Sequence, residues 1–229
     1  NEGPKDAYEY NGKTYKTGLA TGAGIYLRHT WGTTVPAYYP NPQINHTAYA
    51  WTYVYSPCEQ EAGALVEFQN YGRSENDQAP ANGKWDRKGS RIWLNDVELK
   101  APDWTNAGRS INSEVPLGNE NFTARPPVGI KLRKGWNKVF LKLPYVQADG
   151  VRLNKWMFTF VITDTEGRDA LDGLVYSPSQ DMTLVDRVSE SHDVAQDFPP
   201  SVYDMQGRRV DEPRVPGLYV TQGKKYIKR

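Results

Sequence analysis

Cysteine is nearly missing from this chain of 229 residues. Cys58 stands alone, which excludes an intramolecular disulfide and a cysteine-rich zinc site. Histidine is almost as scarce. His29, His46 and His192 show no metal-ligand spacing and no His-Glu-x-x-His frame, so structural roles are expected for His29 and His46. An excess of one charge is missing too: 28 Lys and Arg against 27 Asp and Glu leave a net +1. That balance exerts no long-range pull on nucleic acid or an acidic membrane, and neither is an expected partner. No apolar run approaches the ~20 residues that a membrane helix requires, so no transmembrane segment is expected. No signal-peptide pattern opens the chain. Helical periodicity is absent throughout. Among motifs, Gly-x-Ser-x-Gly does not occur, and Cys58 follows a proline with no histidine near it in sequence. Asn11-Gly-Lys-Thr14 ends like a phosphate loop but lacks the glycine five residues before Gly12, so it reads as a hairpin turn.

What is plentiful is rings and turn formers: 7 Trp, 15 Tyr, 6 Phe, 20 Gly and 16 Pro. A mean hydropathy of −0.72 makes the chain polar as well. That combination fits a β-sandwich with aromatic strands, a binder of flat polar ligands, or both. The length suits one large sandwich with a small appendage, and a core of that size needs no disulfide or metal staple.

The strongest architectural signal is Arg91-Ile-Trp-Leu-Asn-Asp-Val-Glu-Leu99, answered by Leu132-Arg-Lys-Gly-Trp-Asn-Lys-Val-Phe-Leu-Lys-Leu143. Asn95-Asp96 breaks the first run, and Val97 and Leu99 resume it at period two. Gly135 breaks the second before Val139, Leu141 and Leu143 alternate with Phe140 and Lys142. In Thr47 to Tyr55, Tyr49, Trp51, Tyr53 and Tyr55 share one face, and Ala48, Ala50, Thr52 and Val54 the other. Leu65 to Asn70, Trp156 to Thr163 and Gly173 to Tyr176 complete the strand list. Short β elements with a turn at Asn11-Gly12 fill Tyr8 to Leu27. Trp93, Trp156, Phe158 and Phe160 are expected to fill the core, and Trp136 to pack at a turn.

Long polar stretches separate these strands: Pro36 to His46, Gly72 to Lys88, Ala101 to Pro116 and Asn119 to Pro127. Loops of that length are usually functional or mobile. They carry the candidate ligand-binding residues Trp85, Asp86, Trp104, Tyr38, Tyr39, Trp31 and Arg73. A loop ring can stack on the apolar face of a sugar while nearby Asp, Asn, Arg or Lys bonds its hydroxyls. The bland alternative is a ring that anchors its loop to the sandwich edge. Trp85 reads as ligand-facing and Trp104 as structural. Arg73 and Arg87 to Arg91 fit an inter-domain contact equally well. Asn45-His-Thr and Asn121-Phe-Thr are glycosylation sequons by rule.

The domains read as residues 1–178, an antiparallel jelly-roll sandwich of galactose-binding-like type, a linker over 179–198, and a β-hairpin tail over 199–229. The tail holds seven basic against three acidic residues and is too short to bury a core of its own.

Several stretches within residues 15–178 carry a family likeness. They include Ile25-Tyr-Leu-Arg-His-Thr-Trp-Gly32, Phe68-Gln-Asn-Tyr-Gly-Arg-Ser74, Gly83-Lys-Trp-Asp86, Ser90-Arg-Ile-Trp-Leu-Asn95, Gly135-Trp-Asn-Lys138 and Lys155-Trp-Met-Phe-Thr159. Together they resemble the C-terminal ancillary domain of exo-β-N-acetylhexosaminidases of gut Bacteroidetes. In that family an adjacent Asp-Glu pair on a (β/α)₈ barrel performs hydrolysis. No such pair in that context occurs here; Asp211-Glu212 lies in the tail. The resemblance therefore implies an accessory role beside a catalytic barrel, with an N-acetylhexosamine-containing glycan as partner. Gly207-Arg-Arg-Val210, Pro216-Gly-Leu-Tyr-Val220 and Gly223-Lys-Lys225 are similar to C-terminal sorting segments of exported Bacteroidetes proteins. That likeness implies a secreted, periplasmic or cell-surface protein.

The expected function is a non-catalytic carbohydrate-binding or scaffolding module, with no cofactor. A structural calcium held by loop oxygens is the one allowance, because such sites are common in jelly rolls. The competing class is a stand-alone β-sandwich glycoside hydrolase, which needs paired carboxylates across the scissile bond. Asp96-Val-Glu98 has the two-residue spacing of concave-face hydrolases, but Asn95-Asp96 is better explained as a turn. Asp77 with Asp86, and Glu114 with Glu120, look like solvated loop charges.

Overall fold

Local turn chemistry sets the strand pattern. Asn11 and Gly12, at φ 49° and 70°, form a two-residue hairpin turn between β1 (Ala7–Tyr10) and β2 (Lys13–Lys16). Asn95 and Asp96, at φ 50° and 69°, do the same between β7 (Arg91–Leu94) and β8 (Val97–Glu98). Two consecutive left-handed residues match the right-handed twist of flanking strands, and Asn, Asp and Gly tolerate that geometry best. The computed structural model describes residues 5–29, 37–39, 41–69, 77–105, 107–111, 125–147 and 155–185, together with four short strands beyond residue 200.

Two antiparallel sheets form the body. The first orders β10 (Val128–Leu132), β5 (Gln60–Gln69), β12 (Lys155–Thr163) and β3 (Gly24–His29). The second orders β13 (Val175–Ser177), β4 (His46–Ser56), β11 (Gly135–Tyr145), β7 and β8. One apolar cluster joins their inner faces: Leu27, Val66 and Ile130 come from the first sheet, and Val54, Ile92 and Leu141 from the second. The protein is thus an all-β antiparallel sandwich, as period-two patterning predicts.

The longest pairing runs from Gly135↔Ser56 to Tyr145↔His46, between β11 and β4. Its turns are locked by Asn137, a fully buried polar side chain. Its Nδ2 donates to the carbonyls of Arg133 (2.8 Å) and Gly135 (3.0 Å), and its Oδ1 accepts from Arg133 N–H (2.9 Å) and Asn95 Nδ2 (2.8 Å). Asn95 Oδ1 in turn accepts the Lys138 N–H at 3.0 Å. The two segments that carried the sequence signal are therefore joined side chain to side chain.

Two of the long loops also touch. β6 (Asp77–Gln78) pairs with β9 (Ser110–Ile111), so the stretches around Gly72 to Lys88 and Ala101 to Pro116 share a short ladder. A single helical turn occupies 182–185, where no helix was expected. Asp181 Oδ1 caps it by accepting the Thr183 N–H at 2.9 Å. Past residue 200, β14 (Val202–Asp204), β15 (Arg209–Val210), β16 (Gly217–Thr221) and β17 (Lys224–Lys228) form their own sheet in the order β15-β14-β16-β17. These match the serial hairpins read from the tail.

Candidate functional site

Among the described residues, the loop candidates do not assemble into a platform. Trp85 is 5% exposed, belongs to the core cluster, and donates from Nε1 to the Leu99 carbonyl at 3.0 Å. Its ring meets Phe68 edge-on at 5.7 Å. Trp104 is also buried. The Arg125 guanidinium lies over both rings, 5.6 Å from the Trp85 centroid and 5.0 Å from that of Trp104. Arg125 is itself buried and paired with buried Glu67 at 3.2 Å, and it donates to the carbonyls of Lys84 (2.9 Å) and Trp85 (2.6 Å). The expectation of a ligand-facing Trp85 is thereby corrected. A cation buried between two indoles ties the loops to the sandwich, and neither ring offers a face to solvent.

Asp86 is corrected for a similar reason. Its Oδ1 accepts the N–H groups of Lys88, Gly89 and Ser90 at 2.8–3.0 Å, and its Oδ2 accepts the Ser90 hydroxyl at 2.6 Å. A buried carboxylate committed to four local donors organises its own loop and has little capacity left for a sugar hydroxyl. Trp31 and Arg73 lie outside the described residues.

Tyr38 and Tyr39 do reach the surface, at 40% and 38% exposure. Their N–H groups donate to the Tyr26 and Leu27 carbonyls, which fixes the segment beside β3. Tyr39 stacks on buried Trp156 at 5.8 Å, and burial pushes its phenol pKa above the ordinary value. Both rings line an apolar cavity of about 640 Å³ between the sheets, floored by Ala48, Ala50, Leu141 and Phe158. The lining is mostly apolar, with Lys16, Thr17, Thr52 and Ser177 among its polar members, so it favours a largely apolar ligand over a polyhydroxylated one.

A second group of rings, exposed at Tyr49 and half-buried at Trp93 and Phe140, lies on the outer face of the five-stranded sheet. On β11, Val139, Leu141 and Leu143 face the core, which turns Lys138, Phe140 and Lys142 outward. Trp93 on β7 is the cross-strand partner of Phe140, and Trp51 on β4 is its partner on the other side. Trp93 thus lies on the outer face, not in the core where its apolar neighbours Ile92 and Leu94 sit. Phe140 packs against Trp93 at 5.9 Å and stacks on Tyr49 at 5.7 Å with 22° between the planes. Tyr49 is 56% exposed. Farther along, Tyr55 meets half-buried Trp136 edge-on at 5.4 Å. Of the other rings expected inside, Trp156 is 3% exposed, and Phe158 and Phe160 pack partly buried against the cluster.

Charged groups fringe this strip. Lys142 is the cross-strand partner of both Tyr49 and Arg91. Lys138 pairs with Asp96 at 2.5 Å, and Arg91 with Glu98 at 3.5 Å. Both carboxylates of the Asp96-Val-Glu98 spacing thus sit beside cations at an exposed hairpin. Among the described residues, no three His, Cys, Asp or Glu side chains cluster so as to hold a metal ion.

The alternation of Lys138, Phe140 and Lys142 against Val139, Leu141 and Leu143 is the signal that marks this face in the sequence. Comparison of the chain with protein-family models, with curated proteins and with solved structures gives no match.

Proposed function

We propose that this chain is a non-catalytic carbohydrate-binding module whose binding surface is the outer face of the five-stranded sheet, centred on Phe140, Trp93 and Tyr49. The observation that carries the reading is the contiguous ring packing of Trp93, Phe140 and Tyr49 across strands β7, β11 and β4. Scattered exposed rings need no explanation, but a contiguous aromatic patch rimmed by polar groups marks an interaction surface. Strands about 4.8 Å apart hold these rings side by side, with 22° between the planes of Phe140 and Tyr49 and 48° between those of Phe140 and Trp93. The near-parallel Phe140–Tyr49 pair complements the apolar face of a pyranose, and Lys142, Arg91 and the Tyr49 hydroxyl supply hydrogen bonds at its margin. The resemblance noted above supplies the setting: a secreted glycan-degrading system, with a β-N-acetylhexosaminidase barrel as the associated catalytic domain and N-acetylhexosamine glycans as ligands.

Calorimetric titration with N-acetylglucosamine and N-acetylgalactosamine oligosaccharides tests the reading. Phe140→Ala and Tyr49→Ala are each expected to weaken binding about fivefold, the loss of ~1 kcal/mol of ring contact. If no saccharide binds, while the same substitutions abolish association with a catalytic barrel, the face is a scaffolding surface instead.

A further inference from the structure

The charge arrangement on this face narrows the ligand class. Arg91 and Lys142 are direct cross-strand partners in the pairing of β7 with β11, and both point outward. Partners in that position have β-carbons about 5 Å apart, where like charges are destabilising. Among the described residues, the available anions answer only one of the two cations. Glu98 approaches Arg91 at 3.5 Å across a solvent-exposed gap, and Asp96 is taken by Lys138. Among the described residues, no carboxylate pairs with Lys142. Among the described residues named on this face, three cations (Lys138, Lys142 and Arg91) stand against two carboxylates (Asp96 and Glu98), and the surplus positive charge lies one step from the ring strip.

We infer that the platform selects acidic saccharides, with a sulfate or carboxylate substituent seated between Arg91 and Lys142 while the sugar ring stacks on Phe140 and Tyr49. This inference rests on the reading of that face as a saccharide platform. Lys142 follows Phe140 by two residues, so their Cα atoms stand about 6.8 Å apart along the strand. An acid group carried on a pyranose centred over Phe140 falls within the radius that a lysine stem sweeps. Arg91 presents a planar fork from the neighbouring strand, suited to two oxygens of a sulfate or carboxylate. An acidic substituent thus converts a repulsive pair into a bridged one, and a neutral sugar leaves the repulsion in place.

Three probes on the intact chain test this: a chito-oligosaccharide, the same oligosaccharide 6-O-sulfated, and an oligogalacturonide. At least one acidic probe is expected to bind tenfold or more tighter than the neutral one, and raising salt from 50 to 500 mM should erase most of the difference. Lys142→Met and Arg91→Met should each weaken the acidic probe fivefold or more, and by a larger factor than they weaken the neutral probe. Tighter binding of the sulfated arm names a sulfate ester as the anion, and tighter binding of the galacturonide names a carboxylate. Equal or tighter binding of the neutral probe overturns the charge inference but keeps the platform. Failure of all three probes overturns the platform reading itself. Both variants lie on the exposed face, and unchanged melting temperatures would confirm that they fold.

Discussion

Replacing Arg125 by alanine should be among the most damaging single changes in the sandwich. Arg125 and Glu67 have side chains 1% exposed, with Arg125 Nε 3.3 Å and 3.2 Å from the two Glu67 oxygens. The rest of the guanidinium bonds the Lys84 and Trp85 carbonyls and lies against two indole rings. Alanine strands the Glu67 carboxylate, whose remaining contacts include the Phe68 N–H at 3.0 Å. Breaking a buried pair by removing one partner costs about 3–5 kcal/mol. Each carbonyl left without a partner adds up to about 1–3 kcal/mol if water cannot reach it. Relaxation of the loop will recover part of this, so a loss of about 4 kcal/mol is expected. For a domain of this size 1 kcal/mol moves the melting temperature by about 2–4 °C, so the shift should be about 8–16 °C.

The informative control is a double variant. Glu67→Leu with Arg125→Leu removes both charges and should be more stable than Arg125→Leu alone, because no unpaired charge remains buried. Urea denaturation followed by tryptophan fluorescence measures both, with the midpoint and slope separated. A loss below ~1 kcal/mol for Arg125→Ala, or a double variant no better than the single, would refute the assignment of the pair as the anchor of these loops.

Trp85→Ala and Trp104→Ala should each cost roughly 3 kcal/mol of stability and leave saccharide affinity unchanged, the opposite of what a loop platform requires; melting and titration on the same samples separate the two. Asn137→Ala should cost at least about 2 kcal/mol, because it exposes no surface yet removes partners from Arg133, Gly135 and Asn95, and the loss is read by denaturation. Gly63→Ala should destabilise by about 1–3 kcal/mol, since a β-carbon there would collide with the Asp164 carbonyl oxygen and lie 3.0 Å from Pro127 Cβ. Asp164 accepts backbone N–H groups from Arg168 and Glu166, which holds its pKa below the ordinary 3.8. Its contribution is therefore present above pH 3.8 and lost as pH falls through the lower folded value; the melting-temperature gap between wild type and Asp164→Ala should shrink below pH 3.8.

Strand identity was legible where side chains alternate in size and polarity. β11 and β12 agree with their patterns, and both hairpin dipeptides adopt the left-handed turn they signal. β5 begins five residues before the apolar run that announced it, because Ala62, Gly63 and Ala64 lack the bulk that makes alternation visible. β10 went unread for a related reason: Val128-Gly-Ile-Lys-Leu132 follows two prolines and holds a glycine, which mimics a loop. Its strand character comes from pairing with β5, a tertiary contact that local propensity does not encode.

The site was harder to read, for a reason particular to aromatic residues. Indole and phenyl rings are equally at home in a core, on a platform and over a loop, so their identity says little without their register. Trp85 looked ligand-facing because its neighbours Gly83, Lys84 and Asp86 are polar, but a distant arginine at position 125 draws the ring inward. Trp93 was expected in the core because it lies in a strand, yet its apolar neighbours Ile92 and Leu94 are the evidence that it takes the opposite face. The same logic places Phe140 outside, between two lysines, and Tyr49 outside, between two alanines. Those alanines matter in turn. Ala48 and Ala50 leave the inner side of β4 thin, and the strand's large side chains stand on its outer side. Threonine or serine at Tyr49 and Phe140 would satisfy the outer face of a sheet as well as a ring does, and would expose less apolar surface. The packed rings therefore present more apolar surface than the outer face of a sheet requires, and the proposed saccharide platform accounts for that surplus beside Arg91 and Lys142.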